Sequence, residues 1–559
     1  MRMKYSDGLL FLLIGFFFTY PLLKLLYLSF SSGQALSELM HLFSHPRTWT
    51  MLKNTLLLVS GGTVLAVFLG TSLALIMTLT DFPGRRFAAP LIFLPFILPS
   101  YIIALSWGET WGRQGLIAMF LQHIGYTGPV YNVYSLSGMI WVMGLTHYPL
   151  VYVLVTQAVH AVPQELFLVA RLSGATRSRA LFQIVLPLLK PAIGAAFLLS
   201  FLAALDNFGI PTFLGIPAGV VVLSTYIYEQ IIGFGPAAFV RAALLSTLLM
   251  MTAIIALILM IRLFGQRMVL EGQGATVGVS TVPLLSLGRA RWVWGSGIHL
   301  FLFLTSVLPL FSLIKTSLTK AYGQAFTLKM LTFDHYIFLF TSSRVHTAFK
   351  NSFVLALTVA LLSIVIGAWI SYRRVHQPSL YWSVTDGFMG LPFALPGIVT
   401  ALSLIVTWIE PFPGFHPGVY GTIWMLFIAY FVRFSVVGLR FAWSRMSTID
   451  PHAERAAAIS GASLGRRLYR IIWPMMRQAL IGGALMIIFF VLTELTVSML
   501  LSITGQETLG VVVFQFEQGG YTTLSSAMSV LIALFMVIIA FILQKIGFST
   551  FYLRSHHDV

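Results

Sequence analysis

Carboxylates and amides interrupt otherwise apolar sequence at a few places. Asp206-Asn207 and Thr493-Glu494 each close a long apolar run, and Glu229-Gln230 and Glu517-Gln518 follow farther along. An ionisable side chain in hydrocarbon costs roughly a few kcal/mol, so such residues belong beside protein, water or a passing solute. Asp206, Asn207, Thr493 and Glu494 are therefore candidates to border a translocation path, with helix capping or interhelical hydrogen bonding as the alternative. Glu229-Gln230 and Glu517-Gln518, 288 residues apart, suit outward loops.

Catalytic chemistry has little to work with. The chain has no cysteine, which removes disulfides, thiolate nucleophiles and thiolate metal sites. A phosphate-cradling P-loop needs glycine immediately before its lysine, yet the residues before the lysines are Met3, Leu23, Leu52, Leu189, Ile314, Thr319, Leu328, Phe349 and Gln544. No HExxH occurs, and His556-His557-Asp558 reads as a solvated tail. The expectation is a chain without catalytic residues, without a metal site and without a cofactor of its own.

These residues must be positioned by membrane helices. Of 559 residues, 58% are hydrophobic and 9% charged, against roughly 25% charged in a soluble domain. Apolar runs near 20 residues recur, enough at about 1.5 Å per residue to cross a bilayer core. Counting them predicts an all-α polytopic membrane protein of about twelve transmembrane helices, centred near residues 18, 65, 98, 145, 197, 252, 303, 361, 398, 430, 490 and 535. The net charge of +17 does not point to nucleic acid, because the cations cluster between spans: Arg85-Arg86, Arg171 to Lys190, Arg262 to Arg291, Arg373-Arg374 and Arg440 to Arg477. By the positive-inside rule that side, with both termini, is cytoplasmic. Arg2 and Lys4 precede an apolar run longer than a signal core, which reads as a retained first span.

Internal repetition divides the chain. LPFILPSYIIALS at 94 to 106 returns as LPFALPGIVTALS at 391 to 403, and LKNTLLL from Leu52 as FKNSFVL from Phe349, both at an offset of 297. The Gly-rich stretch near Glu271 to Arg291 reads as a linker. The division is a first transmembrane half over 1–265, a cytoplasmic linker over 266–291 and a second transmembrane half over 292–559, related by a pseudo-twofold axis along the membrane normal. Pro95 and Pro99, then Pro392 and Pro396, stand four apart within a span and predict kinked helices, suited either to a gate or to ordinary bending.

A further repeat lies between the fourth and fifth spans of each half. LSGATRSRALFQIVLP, 172 to 187, returns as ISGASLGRRLYRIIWP, 459 to 474, at an offset of 287. Leu166, Val169, Ala170 and Ser173 make one face of a short helix, and Ala453, Ala456, Ala457 and Ser460 make the equivalent face, behind an Asp450 N-cap. Gly174 or Gly461 then ends the helix, and Pro187 or Pro474 opens the next span. A small-residue face permits close approach by a partner; the alternative is an interfacial segment whose arginines neutralise lipid phosphates.

These connectors resemble the EAA loop of the permeases of binding-protein-dependent ABC importers: Glu-Ala-Ala, three residues, Gly, then about a dozen residues to an Ile-x-Leu-Pro-like end. Leu168-Val169-Ala170 precede Gly174 and IVLP, and Arg455-Ala456-Ala457 precede Gly461 and IIWP. The glutamate is absent from both signatures, with Glu165 and Glu454 nearby. The resemblance implies a type I importer permease fold of two homologous six-helix halves. It implies that Leu168, Ala170, Gly174, Pro187, Arg455, Ala457, Gly461 and Pro474 couple the chain to two ATP-binding cassette subunits, which would hold ATP and Mg. It also implies an extracytoplasmic substrate-binding protein, surrounding membrane lipid, and a bacterial inner-membrane location. DNFGIPTFLGIPAGVVVLSTYIY from Asp206 and TELTVSMLLSITGQETLGVVVF from Thr493 resemble the ferric-iron group; aminoethylphosphonate, thiamine and polyamine importers have related permeases. A gradient-driven secondary transporter is the other class considered, since DFPGRR at 81 to 86 faintly resembles a facilitator loop.

Overall fold

The computed structural model describes residues 5–31, 35–126, 128, 131–233, 238–271, 286–323, 327–409 and 418–546. Most of the Gly-rich linker and the His556-His557 tail lie outside them. Among the described residues there is no β-strand; the secondary structure is helical.

The first half contains α1 (Asp7–Ser31), α2 (Pro46–Leu79), α3 (Arg85–Ile97), α4 (Ser100–Trp111), α5 (Leu136–Ala161), α6 (Gln164–Leu172), α7 (Leu181–Asp206), α8 (Leu223–Ile232) and α9 (Ala238–Glu271). The second repeats them in order as α10 (Gly288–Ser317), α11 (Ser343–His376), α12 (Leu380–Ala394), α13 (Gly397–Trp408), α14 (Ile423–Met446), α15 (Pro451–Ile459), α16 (Leu464–Thr493), α17 (Leu509–Gln518) and α18 (Thr522–Ile546). Ten helices are long and apolar enough to cross a membrane, or up to 12 if each of two bent pairs is one span. The helices α9 and α10 extend into the segment read as linker from both sides.

The bent pairs alter the expectation for the prolines. Rather than kinking one continuous crossing, the chain turns by 108° between α3 and α4 and by 109° between α12 and α13. The cause is local. Pro99 and Pro396 have no N–H and hold Leu98 and Leu395 in extended backbone, which ends one helix, and each proline then caps the next. Pro95 and Pro392 stay inside α3 and α12 as buried residues.

Close helix packing uses small residues. A Cβ on Gly70 of α2 would lie 2.6 Å from the Tyr148 carbonyl of α5, and one on Gly367 of α11 would lie 2.7 Å from the Leu439 nitrogen of α14. These matched glycines let the backbones of α2 and α5, and of α11 and α14, approach where lipid supplies no hydrophobic drive.

The halves are not separate packing units. The helix α1 packs on α12 and α13 of the second half, and α10 packs on α3 and α4 of the first. Each half lends its first span to the other, and one continuous buried cluster contains residues of both.

The repeated KNT and KNS sequences position the short helices α8 and α17. Asn54 Nδ2 donates to the Val221 carbonyl at 3.1 Å and Thr55 Oγ1 accepts from Leu223 N at 2.8 Å. Asn351 Nδ2 donates to the Glu507 carbonyl at 3.2 Å, and Ser352 Oγ accepts from Leu509 N at 3.0 Å. These hydrogen bonds satisfy orphan groups at helix entries held against a neighbouring span.

Candidate functional site

Two regions carry the residues singled out by sequence. The first is the connector face, where α6 and α15 stand at matching positions. Each is nine residues long and each ends in the same Schellman arrangement. Ala175 N donates to the Ala170 carbonyl and Ala462 N to the Ala457 carbonyl, both at 3.0 Å, while Gly174 and Gly461 take φ of 84° and 81°. Asp450 caps α15 by accepting from His452 N at 2.9 Å.

The expected small-residue face needs correction. Ala170 is buried against the bundle and Ala457 is half-buried, because both lie where the Schellman turn folds the chain back on the helix. Leu166, Val169 and Ser173 are exposed, as are Ala453, Ala456 and Ser460. The most projecting side chains were not in the expected set: Leu172 and Ile459, at equivalent positions, are each 88% exposed. Arg455, Pro187 and Pro474 are exposed, and Leu168 lies on α6 with its side chain outside the described residues.

The second connector has a brace that sequence reasoning left unassigned. Glu454, buried on α15, accepts from Tyr372 Oη at 2.7 Å and Arg467 Nη1 at 3.2 Å, and stands 2.7 Å from His376 Nε2. Tyr372 and His376 belong to the last turns of α11, so the carboxylate ties connector to span. The matching residue of α6 is Phe167, and Glu165 is exposed. Thus the nearby glutamate of the second half is structural, one position before the signature's own.

The second region is at mid-depth between the halves. Asp206, the last residue of α7, does not cap its own helix. Its Oδ1 accepts from Gly397 N at 2.7 Å, and both oxygens accept from Arg433 Nη2 of α14, at 2.8 and 2.6 Å. Arg433 Nε faces Glu494 Oε2 at 3.5 Å. Arg433 is 4% exposed, while the Asp206 side chain is 36% exposed. Arg433 lies near the middle of the 24-residue α14, which places it about halfway through a bilayer core.

The other residues proposed for the path do local work. Asn207 Oδ1 accepts from Ile210 N at 3.1 Å, and Glu494 Oε1 accepts from Val497 N at 2.8 Å, the same cap in both halves. Thr493 Oγ1 donates to the Phe489 carbonyl at 3.0 Å within its own helix. Capping thus accounts for Asn207 and for one oxygen of Glu494, whereas Asp206 reaches across the interface. Arg433 escaped the sequence reading, although a lone arginine within IWMLFIAYFVRFSVV was the visible signal.

At the opposite end from the connectors, the pairing of Glu229 with Glu517 is also corrected. The helices α8 and α17 align at 286, not 288, so the counterpart of Glu229 is Gln515. Arg47 meets Glu229 at 2.9 Å, and its repeat Arg344 bonds Gln515 and, at 3.2 Å, Glu507. Gln230 accepts from Arg241 Nε at 2.9 Å, and Glu517 Oε1 accepts from Thr522 Oγ1 at 3.5 Å. The Gln518 side chain is exposed.

Duplicated spans, exchanged first helices and twin connector helices define a polytopic helical protein of two homologous halves. Residues 62–270 match the family described as the binding-protein-dependent transport system inner membrane component. That match lies within the first half, and the duplicated architecture is consistent with a fused two-half permease. It is 26% identical over 552 residues to the Fe(3+)-transport system permease protein FbpB 2 of Haemophilus influenzae, covering 97% of this chain and 98% of that protein. The ferric transport system permease protein FbpB of Actinobacillus pleuropneumoniae is 24% identical, over 95% of this chain and 76% of the relative. A shorter relative, the sulfate transport system permease protein CysT of Salmonella typhimurium, is 29% identical over 31% of this chain and 60% of its own length.

Proposed function

We propose that this chain is the membrane-spanning permease of an ATP-driven, binding-protein-dependent importer whose cargo is ferric iron. Two ATP-binding cassette subunits, which carry ATP and Mg, seat on α6 and α15 from the cytoplasm, where both termini also lie. A binding protein delivers cargo at the opposite face. The chain holds no cofactor and performs no hydrolysis; it moves cargo by alternating access as the two halves rock. The observation that carries this reading is the pair of equivalent connector helices, each ending in a left-handed glycine and projecting a large apolar side chain at the same position, Leu172 or Ile459. The names of the relatives that span most of the chain support ferric iron as the cargo.

The test is reconstitution of the chain with candidate P-loop ATPases and a ferric-loaded binding protein in vesicles. ATP-dependent ferric uptake that needs both partners is the expected result. Uptake without ATP, driven by a proton or sodium gradient alone, would overturn the importer reading in favour of a secondary transporter.

A further inference from the structure

The contact between Asp206, Arg433 and Glu494 joins the halves at the depth where a solute must cross. Asp206 comes from the first half. Arg433, Glu494 and the Gly397 amide come from the second. Arg433 Nη1 also faces the Leu395 carbonyl at 3.5 Å, so the guanidinium sits beneath the Pro396 break that opens α13. A Cβ on Gly397 would lie 2.8 Å from Arg433 Nη1, so a residue without a side chain is what admits the guanidinium here.

Parting the halves must separate Asp206 from Arg433. A buried charge left without its partner is strongly unfavourable, whereas the intact pair is close to neutral in net stability. The separation is therefore costly unless something else supplies charge. The three side chains hold two carboxylates and one guanidinium, so the cluster has room for a cation and opposes an anion. The partial exposure of Asp206, beside an almost wholly buried Arg433, gives an arriving solute access to the carboxylate rather than to the guanidinium.

We infer that Arg433 sets the charge selectivity of the route: it is a resident counter-cation, clamped between Asp206 and Glu494, that a cationic cargo replaces when the halves part. The inference rests on the proposed transport role of the chain but not on iron as the cargo. It makes the resting contact a latch and makes cation arrival the event that lowers the cost of opening it. An oxyanion would have to compete with two carboxylates for one guanidinium.

The chain has no native cysteine, so a single introduced thiol reports the latch cleanly. Ala204, 2% exposed and close to Asp206 in sequence, is replaced by cysteine, and its labelling by a membrane-impermeant maleimide is followed with the full chain in native membrane vesicles. Arg433→Gln or Asp206→Asn is expected to raise the labelling rate about tenfold or more, as loss of a buried ion-pair partner should. Arg433→Lys, which keeps the charge, is expected to stay near the parent rate. Glu494→Gln, which leaves the Asp206 contact in place, should give a smaller rise and serves where Arg433→Gln fails to assemble. Spermidine or hexaamminecobalt(III), both cations, should raise labelling in the parent, whereas sulfate should not. In the Asp206→Asn, Glu494→Gln double variant the cation effect should vanish. A response to either cation would uphold the latch whatever cargo the uptake assay identifies. Labelling in Arg433→Gln and Glu494→Gln equal to the parent, or equal opening by sulfate, would overturn the inference.

Discussion

A left-handed glycine with open space beside it distinguishes conformational strain from docking. At Gly174 and Gly461 an added Cβ would meet no described atom within 4 Å, so alanine should cost only the backbone penalty of about 1–2 kcal/mol at each position. Leucine should cost little more in the isolated chain, because the space is empty, yet it should collide with anything seated on α6 or α15. The expected result is similar melting temperatures for the alanine and leucine double variants, with uptake per ATP lost only in the latter. Unchanged coupling in the leucine variant would remove docking from these glycines. Asp81 offers a second residue-scale test. Its Oδ1 accepts from Leu287 N at 2.7 Å, and that hydrogen bond holds its carboxyl below the usual range. A lowered folded pKa gives stability that is fully present above the ordinary carboxylate value, about 4, and is lost as pH falls through the folded value. Hydrogen exchange at the Leu287 amide, corrected for intrinsic rate, should therefore show constant protection from about pH 8 to 5, and Asp81→Asn should weaken that protection at neutral pH. At this scale the sequence located Gly174, Gly461 and the Asp450 cap, because each depends on neighbours in the chain. Arg433 was hidden because its partners lie 227 and 61 positions away, and the positive-inside rule places arginines in the cytoplasmic loops between spans.

Short elements depend on their braces, and the two connectors are braced differently. In the second half, Glu454 satisfies Tyr372, His376 and Arg467 together, and it is almost fully buried. Glu454→Ala leaves three polar partners without that acceptor, at a cost of roughly 1–3 kcal/mol per buried group left unsatisfied. The first connector has Phe167 at the matching position, a side chain without a carboxylate. Glu454→Ala should therefore loosen α15 while leaving α6 protected, read as faster hydrogen exchange over 451–459 than over 164–172. Equal exchange in both connectors would show that Glu454 is not the brace. Spans were legible because twenty apolar residues need no tertiary information. The right-angle breaks were only half legible: the prolines marked the place, but whether a span kinks or turns aside depends on what packs beyond it. The 286 register of α8 and α17 was masked because two Glu-Gln pairs suggested 288, and only the bonds from Asn54 and Asn351 decide between them.

Exchange of α1 and α10 makes the whole molecule a single folding unit despite its duplicated sequence. Each half buries apolar surface that the other half's first helix covers, and this could not be read from a repeat that implies two self-contained bundles. The consequence is asymmetric dependence. Deleting residues 1–34 removes α1, whose packing partners include α12 and α13 of the second half, so the lesion should appear some 350 or more positions away in sequence. The exchange is carried by α1 and α10 themselves. A protease site placed within residues 272–285 and cut after assembly should leave fragments that co-purify in mild detergent, because the exchanged spans hold them together. The same fragments expressed separately should not extract as monodisperse species, because each lacks the helix that covers its bent pair. Thiol labelling at Thr400→Cys, a position 1% exposed on α13, separates the two cases: it should stay slow after linker cleavage and become fast after loss of α1. Fast labelling after cleavage alone would mean that the covalent link, rather than the exchanged helices, holds the halves in register.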